Sequence, residues 1–352
     1  MQPPLIPTKR DYKWELLLKI LNVFDLRSSK QILAKNGIKS IETAVPILKI
    51  LIVSMFFSSD ISYVVNELSQ KKKLQKFMKI TSIPTENQIY RFMNRFEPEK
   101  FTNFVISLLN NVCFSKKRGR KTIIIDSTDI DLDINWFTKK ITKKQLEERD
   151  FKWGYSPHRG YFIGMKLTLA LDYSTLKPLG FLINEANVSE SKIFPKILNE
   201  LKRRRILKPG DTVCFDKGYY SYENYVLGIA KYKIIPVIFP RKNCDYSRLF
   251  DMLSYPLVIF DSKKDTEIEK RIYEKLVSKF KSLIKSWREL RPIKSMIEDV
   301  FKLAKNSYSM AKLHRYTMSS VKKHCSLNVL LIGMTISAGI QDKKASQRLS
   351  EQ

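Results

Sequence analysis

The chain has 352 residues, 43% of them hydrophobic, with 11 Gly and 14 Pro. That is enough for two or three domains around packed cores, and it excludes a disordered or low-complexity chain. Lys and Arg number 64 against 35 Asp and Glu, a formal net charge of +29 and a pI ≈ 9.8, which points to a polyanionic partner, nucleic acid above all; a Lys-rich composition or an acidic protein partner is the plainer alternative.

Four cysteines, Cys113, Cys214, Cys244 and Cys325, form no C-x-x-C pair. This speaks against zinc ribbons and dithiol redox motifs and suits a reducing cytoplasm. Met1 to Lys13 is polar and Pro-rich, without the apolar core of a signal peptide. Two apolar stretches, Val45 to Phe57 (with Pro46 and Lys49) and Leu327 to Ile340, are about 14 residues or shorter. A membrane span needs roughly 20 residues, so both read as buried helices, and no membrane association is expected.

From about 12 to 115 the pattern is helical. Trp14, Leu17, Leu18, Leu21 and Phe24 keep helical spacing, and Ala44 to Phe57 and Ile61 to Leu68 continue it. In Thr85 to Phe96, Thr85 is an N-cap with Gln88 as its capping-box partner. Ile89, Phe92, Met93 and Phe96 make the apolar face, leaving Gln88, Arg91 and Arg95 on another. This is either the second helix of a helix-turn-helix that reads a DNA end or an ordinary amphipathic helix with a solvated basic face.

From about 120 the pattern turns to strands. Thr122 to Ile125 is a short apolar strand; Tyr161 to Leu171 is longer and pairs with Pro178 to Asn184 across Asp172-Tyr173-Ser174. A helix N-capped by Ser189 runs to Arg205, followed by the strand Thr212 to Phe215, the helix Tyr222 to Ala230 and the strand Lys233 to Phe239. Helices follow from about 266 to 289 and from 292 to 305. The order β-β-β-α-β-α-β-α implies a mixed α/β sheet after a helical N-terminal region.

Three carboxylates stand out. Asp126 follows Ile123-Ile124-Ile125, and Asp216 follows Val213-Cys214-Phe215. Both sit at the C-terminal ends of expected strands, where ligand sites of α/β sheets collect. Glu298 lies in the third segment, with Arg291 seven residues before it, Lys294 four before and Lys305 seven after, all on one helical side. Three oxygen donors from separate elements can hold a divalent cation for phosphoryl transfer, with basic neighbours on the adjacent phosphates. For the helix taken alone, the plainer alternative is a surface ion pair between Lys294 and Glu298. Asp129, Asp131 and Asp133 alternate, but a calcium loop would place Gly at Ile134 and Glu at Lys140, so these three read as a solvated strand face or turn. The stretch 262–294, with Lys263, Lys264, Lys270, Arg271 and Lys275 among its cations, would present a basic surface leading to Glu298.

These motifs resemble the DDE transposases of prokaryotic insertion sequences. Ile125-Asp126-Ser127-Thr128 matches the first motif and Asp216-Lys217-Gly218-Tyr219-Tyr220-Ser221 the second, while Gly160 to Lys166 is similar to the second strand of that family. The third motif, Tyr-x2-Arg-x3-Glu-x6-Lys, falls on Arg291, Lys294, Glu298 and Lys305, so that Glu and Lys match while Arg291 replaces Tyr and Lys294 replaces Arg. Charge is kept at Lys294, but the planar bidentate fork is lost.

The resemblance implies a ribonuclease H-like catalytic domain over 119–337, a helical DNA-end-binding and dimerisation domain over 1–118, and a polar tail at 338–352. It further implies two Mg2+ ions (Mn2+ can substitute) about 3.5–4 Å apart, held by Asp126, Asp216 and Glu298. The implied reaction nicks element ends and joins their 3′-OH to target DNA, without a covalent enzyme intermediate. Lys305, Lys294, Arg291, Lys166 and Lys217 are the implied phosphate contacts, with Gln88, Arg91 and Arg95 on double-stranded terminal-repeat DNA. A homodimer on DNA in a prokaryotic cytoplasm, associated with the nucleoid, follows from the same resemblance. A ribonuclease H-like nuclease that cuts without joining, and a catalytically silent DNA-binding derivative, stand as alternatives.

Overall fold

The computed structural model describes residues 5, 12–23, 26–38, 40–113, 119–133, 144, 151–156, 160–254, 267–308, 310, 312–313 and 317–339. The first part is helical: α1 (Tyr12–Val23), α2 (Leu26–Lys35), α3 (Ile41–Phe56), α4 (Ile61–Gln70), α5 (Lys72–Met78), α6 (Glu86–Asn94) and α7 (Pro98–Cys113). The expected capping box starts α6: Gln88 N–H donates to Thr85 Oγ1 at 3.3 Å and Thr85 N–H donates to Gln88 Oε1 at 2.8 Å. Two orphan donors at the helix start are thereby satisfied. Ile89, Phe92 and Phe96 are buried, and Phe92, Phe96, Phe101 and Phe104 form an aromatic cluster between α6 and α7.

The strands are β1 (Thr122–Leu132), β2 (Lys152–Ser156), β3 (Gly160–Asp172), β4 (Pro178–Glu185), β5 (Thr212–Phe215), β6 (Ile235–Ile238) and β7 (Lys312–Leu313). The helices among and after them are α8 (Glu190–Arg203), α9 (Tyr222–Ala230), α10 (Tyr246–Ser254), α11 (Glu267–Lys285), α12 (Arg291–Lys302) and α13 (Met318–Ser337). The main path through the sheet is β2-β3-β1-β5-β6. Pairing is antiparallel between β1 and β3 and parallel along β1, β5 and β6. This is the mixed sheet flanked by helices, preceded by a helical region, that the order of elements implies, and the ribonuclease H-like fold that the resemblance implies. The run Ile123-Ile124-Ile125 is buried because β1 has paired neighbours on both edges and helix α12 packs on it.

Four expectations need correction. The first strand does not stop before Asp126. It continues to Leu132, because β3 pairs with it from Ile123 to Asp131, so Asp129 and Asp131 are half-buried strand residues rather than turn residues. β2, β7 and α10 are additional elements whose short patterns carry no clear period. Ser189 stands at the N-cap of α8, but its hydroxyl shares a hydrogen bond with Ser191 Oγ at 3.3 Å instead of capping the helix. The last helix of the third motif gives way to a π-turn over Leu303–Ser307. The wider turn takes Lys305 off the clean seven-residue spacing from Glu298 that an uninterrupted α-helix would give.

Helix α13 is buried on every side from Cys325 to Ile336, and its buried residues pack against α7, α1, α3 and β4. It joins the N-terminal helices to the sheet in one continuous core. Polar ties cross the same boundary: Thr102 Oγ1 and Ser326 Oγ lie 3.1 Å apart, and Lys323 Nζ donates to the Met93 carbonyl at 2.7 Å. Among the described residues no single helix is long and apolar enough to cross a membrane.

Gly164 lies where β3 passes the Ile130 carbonyl so closely that a Cβ would overlap it. Gly164→Ala is therefore expected to destabilise the fold by about 2 kcal/mol through forced backbone displacement, a fall of roughly 5 °C in Tm measured by calorimetry.

Candidate functional site

The parallel register of β1 and β5 builds the centre of the site. Ile125 pairs with Phe215, the last residue of β5, so Asp126 and Asp216 follow side by side at the mouth of the sheet. β1 runs on beside β3, whereas β5 ends and turns into the short 3-10 segment Lys217–Tyr219. Tyr219 is completely buried, and its hydroxyl meets Ser127 Oγ at 2.6 Å, which ties that turn to the residue after Asp126. Ser127 Oγ also lies 2.7 Å from Thr168 Oγ1 of β3.

Asp126 is 9% exposed. Its hydrogen bond is from the Ser127 backbone N–H at 2.8 Å, and among the described residues it has no ion pair. Burial, then the charges of Asp216 and Glu190, push its pKa from 3.8 up to about 8, against a smaller downward pull from the Ser127 hydrogen bond and from Lys294.

Helix α12 lies over this pair with Ile293, Ile297, Val300 and Phe301 buried beneath it. That apolar stripe sets its rotation and brings Lys294 and Glu298 to the carboxylate side. Lys294 Nζ lies 3.1 Å from Asp216 Oδ1 and 3.7 Å from Glu298 Oε1. The i,i+4 ion pair of the plainer reading therefore exists, but it is part of a bridge from α12 to the sheet. Burial lowers the Lys294 pKa, and the charges of Asp216, Asp126 and Glu298 more than reverse this, leaving it raised. Glu298 is the outermost of the three acids, with its side chain 48% exposed.

Among the described residues no three acidic, imidazole or thiol side chains stand close enough together to enclose one metal ion. An ammonium lies between Asp216 and Glu298 instead. The donor set still fits a hard divalent cation: the acids offer carboxylate oxygens only, they converge from two strands and a helix, and a cation already bridges two of them.

A cavity of ≈ 750 Å³ opens beside Asp216. Lys217, Arg241, Lys242, Arg288, Arg291 and Lys294 line it, with the rings of Phe239, Tyr246 and Trp287. The Arg291 guanidinium lies 4.8 Å from the Trp287 ring centre, and Trp287 packs on Phe239. Arg241 and Lys242 follow β6 in a loop whose sequence carries no distinguishing pattern.

The other expected site residues are spread more widely. Lys166 on β3 is drawn to Glu190 Oε1 at 3.9 Å and donates to the Val188 carbonyl at 3.3 Å. Lys217 is exposed at the cavity, and Lys305 is half-buried in the π-turn. Gln88, Arg91 and Arg95 are exposed at α6, which packs on α3 and α4, so they do not join the carboxylates. Lys270, Arg271 and Lys275 are exposed on α11, while Lys263 and Lys264 lie outside the described residues. Glu190, the first residue of α8, is the acid that pattern reading missed. An acid in the first turn is so ordinary a helix signal that nothing in the sequence sets it apart.

A mixed sheet with one acid within a central strand, a second just past the end of its parallel neighbour and a third on a covering helix defines a phosphoryl-transfer fold of the ribonuclease H kind. The model of the transposase DDE domain family matches residues 117–334, more than half of the chain, and the chain belongs to that family. Among curated proteins no sequence matches. Of solved structures, a piggyBac transposase synaptic complex with hairpin DNA is similar at 11% identity and TM-score 0.43, over 98% of this chain and 81% of that one. A Mos1 transposase paired-end complex with the left transposon end is similar at 12% identity and TM-score 0.20, over 75% of this chain and 79% of that one. At scores this low neither likeness adds to the family assignment.

Two outcomes are expected for the metal-free protein. With its folded pKa about 8 against 3.8, Asp126 keeps a proton in the folded state that the unfolded chain releases. The group's contribution therefore falls as pH rises from about 4 to 8, and Asp126→Asn flattens that part of a Tm-versus-pH profile recorded in EDTA. Lys294→Met leaves Asp216 without its cation and is expected to lower Tm by about 2 °C at pH 7.5, a modest effect because Lys294 is one-third exposed.

Proposed function

We propose that this protein is a metal-dependent DNA transposase that cuts the ends of its element and joins the freed 3′-OH to target DNA. The observation that carries this is the β1–β5 register, which sets Asp126 and Asp216 side by side beneath Glu298. Asp126, Asp216 and Glu298 would hold Mg2+, with Mn2+ as a substitute. When bound, the metal supplies Lewis acidity to a phosphate oxygen and lowers the pKa of an attacking water or hydroxyl.

The remaining work falls to the chain's own residues. The buried Asp126 and the turn locked by the Tyr219–Ser127 contact keep the sheet side rigid, so the acids need little reorganisation during reaction. Lys294, which reaches Asp216 from a flexible stem, would turn towards a phosphate if that carboxylate held the metal instead. The cationic cavity beside Asp216 would receive a DNA strand, with Lys217, Arg241, Lys242 and Arg288 as backbone contacts and Arg291 beside the Trp287 ring. Both chemical steps are in-line displacements at phosphorus, in which positioning and charge dominate. On this reading Lys166 and Lys305 support the strand near the cut, and Gln88, Arg91 and Arg95 contact the terminal repeat from α6. Residues 1–118 then serve end binding and dimerisation, 119–337 catalysis, and 338–352 form a tail. A homodimer holds two DNA ends.

The test incubates the purified chain with Mg2+ and a plasmid that carries the gene with its native flanking DNA. Cleavage at the flanks followed by joined products is expected for the wild type. Loss of at least a thousandfold in rate is expected for Asp126→Asn, Asp216→Asn and Glu298→Gln. Cleavage without joined products would leave a plain nuclease. DNA binding unaffected by Asp216→Asn, with no cleavage by any form, would leave a DNA-binding derivative.

A further inference from the structure

The hairpin of β2 and β3 lies outside the carboxylate site and carries two of the most exposed large side chains among the described residues. Tyr155 is 62% exposed and Tyr161 77%. They are cross-strand partners, with ring centres 5.3 Å apart and planes inclined at 59°. Alternation along each strand puts their neighbours Gly154 and Phe162 on the opposite face. That face is closed: Phe162 is buried, and a Cβ on Gly154 would overlap the Phe162 ring and the Ala186 Cβ. The hairpin is thus anchored by one face and presents two rings on the other.

The direction of the strands places the hairpin at the catalytic end of the sheet. β1 and β5 are parallel and β3 runs against them, so β3 begins at the end towards which Asp126 and Asp216 point the chain. Pairing of β3 with β1 stops at Gly164 and Asp131, and Gly160 to Ile163 run on beyond it beside β2. Tyr161 is eight residues along β3 from Leu169 (169 − 161), the partner of Asp126. At 3.3 Å per residue that is roughly 26 Å, out of reach of the acids but within the span of a DNA molecule held at them. The surroundings are basic: from Phe151 to Met165 there is no Asp or Glu, while Lys152, His158 and Arg159 fall in this stretch. A second copy of the chain, also at +29, would meet like charge here. Exposed rings in an acid-free, basic setting suit nucleic-acid bases, since every base has a π face and the backbone is drawn by the cations. As a support for the hairpin alone the pair is a modest contribution, open equally to two aliphatic side chains.

We propose that the Tyr155–Tyr161 pair is a second DNA-contact surface, separate from the cationic cavity, on which unpaired bases of a DNA strand stack. This rests on the reading of the chain as a DNA-acting protein and is independent of which residues hold a metal. Tyr155 and Tyr161 touch DNA away from the reacting phosphate and act as positioning residues.

The test measures binding of the full-length protein to a fluorescein-labelled oligonucleotide, single-stranded and as its duplex, by fluorescence anisotropy in EDTA, where no cleavage occurs. The double variant Tyr155→Leu, Tyr161→Leu keeps an apolar cross-strand contact but removes the π faces. It is expected to bind the single strand at least tenfold more weakly than wild type and the duplex within about threefold, at unchanged Tm. Tyr155→Phe with Tyr161→Phe is expected to keep wild-type affinity for both forms. Should the leucine pair fail to fold, Tyr161→Leu alone, at the more exposed position, is expected to lose single-strand affinity in the same direction. Wild-type single-strand affinity in a folded leucine variant would overturn the proposal and leave the pair as a hairpin support. Equal losses on single strand and duplex would overturn the stacking role. In both cases wild-type binding to the duplex shows that the DNA-acting reading itself stands. A wild-type protein that binds neither form would overturn that reading and the proposal together.

Discussion

Repulsion between carboxylates brought together by strand pairing is the constraint around which the rest of this structure is arranged. Parallel pairing of β1 with β5 leaves no freedom in where Asp126 and Asp216 stand, because each follows directly from the last paired residues, Ile125 and Phe215. Asp126 is then too buried to be solvated by water, and its pKa rises accordingly. A fold that needed only stability would place apolar residues there. Retaining acids at the junction of two central strands makes sense where a cation is to be gathered.

The surroundings compensate for that charge without cancelling it. Lys294 bridges Asp216 and Glu298 from the covering helix, and Lys166 approaches Glu190 from β3. Both ammonium groups are on flexible stems and can withdraw. The rigid parts are elsewhere: the Ser127–Tyr219 contact, the buried stripe of α12 and the antiparallel seam of β1 with β3 hold the donors' backbones in place. The site thus combines fixed acids with movable counter-charges, which suits exchange of an internal cation for a bound one. The cationic cavity beside Asp216 continues the same balance outward, with the net charge of +29 as its background.

The N-terminal helices are tied to this arrangement through α13. Its buried surface packs on α7, α1 and α3 on one side and β4 on the other, so a force on the exposed face of α6 is transmitted to the sheet through packed side chains rather than through a flexible linker. The buried Lys323 side chain, donating to the Met93 carbonyl just beyond the Arg91 turn of α6, is one such link.

Local pattern alone made much of this legible. The capping box at Thr85, the helix Tyr222–Ala230, the strand pair around Asp172 and Asp216 directly after its apolar strand all depend on residues close in the chain, and each stands as its sequence implies. What sequence could not decide are effects of distant neighbours. Asp126 lies within a long strand rather than at its end because β3 continues to pair with β1 beyond it. Lys294 reaches Asp216, 78 residues away in the chain (294 − 216), only because α12 packs across the sheet. Glu190 lies against Gly218, 28 residues away in the chain (218 − 190), where the missing Cβ leaves room for its carboxylate. The sequence by itself determined which groups carry the charge and which segments carry regular structure, since both follow from side-chain chemistry and short-range period. Tertiary structure decided which charges meet, because burial and long-range register are properties of the packed sheet and not of any one segment.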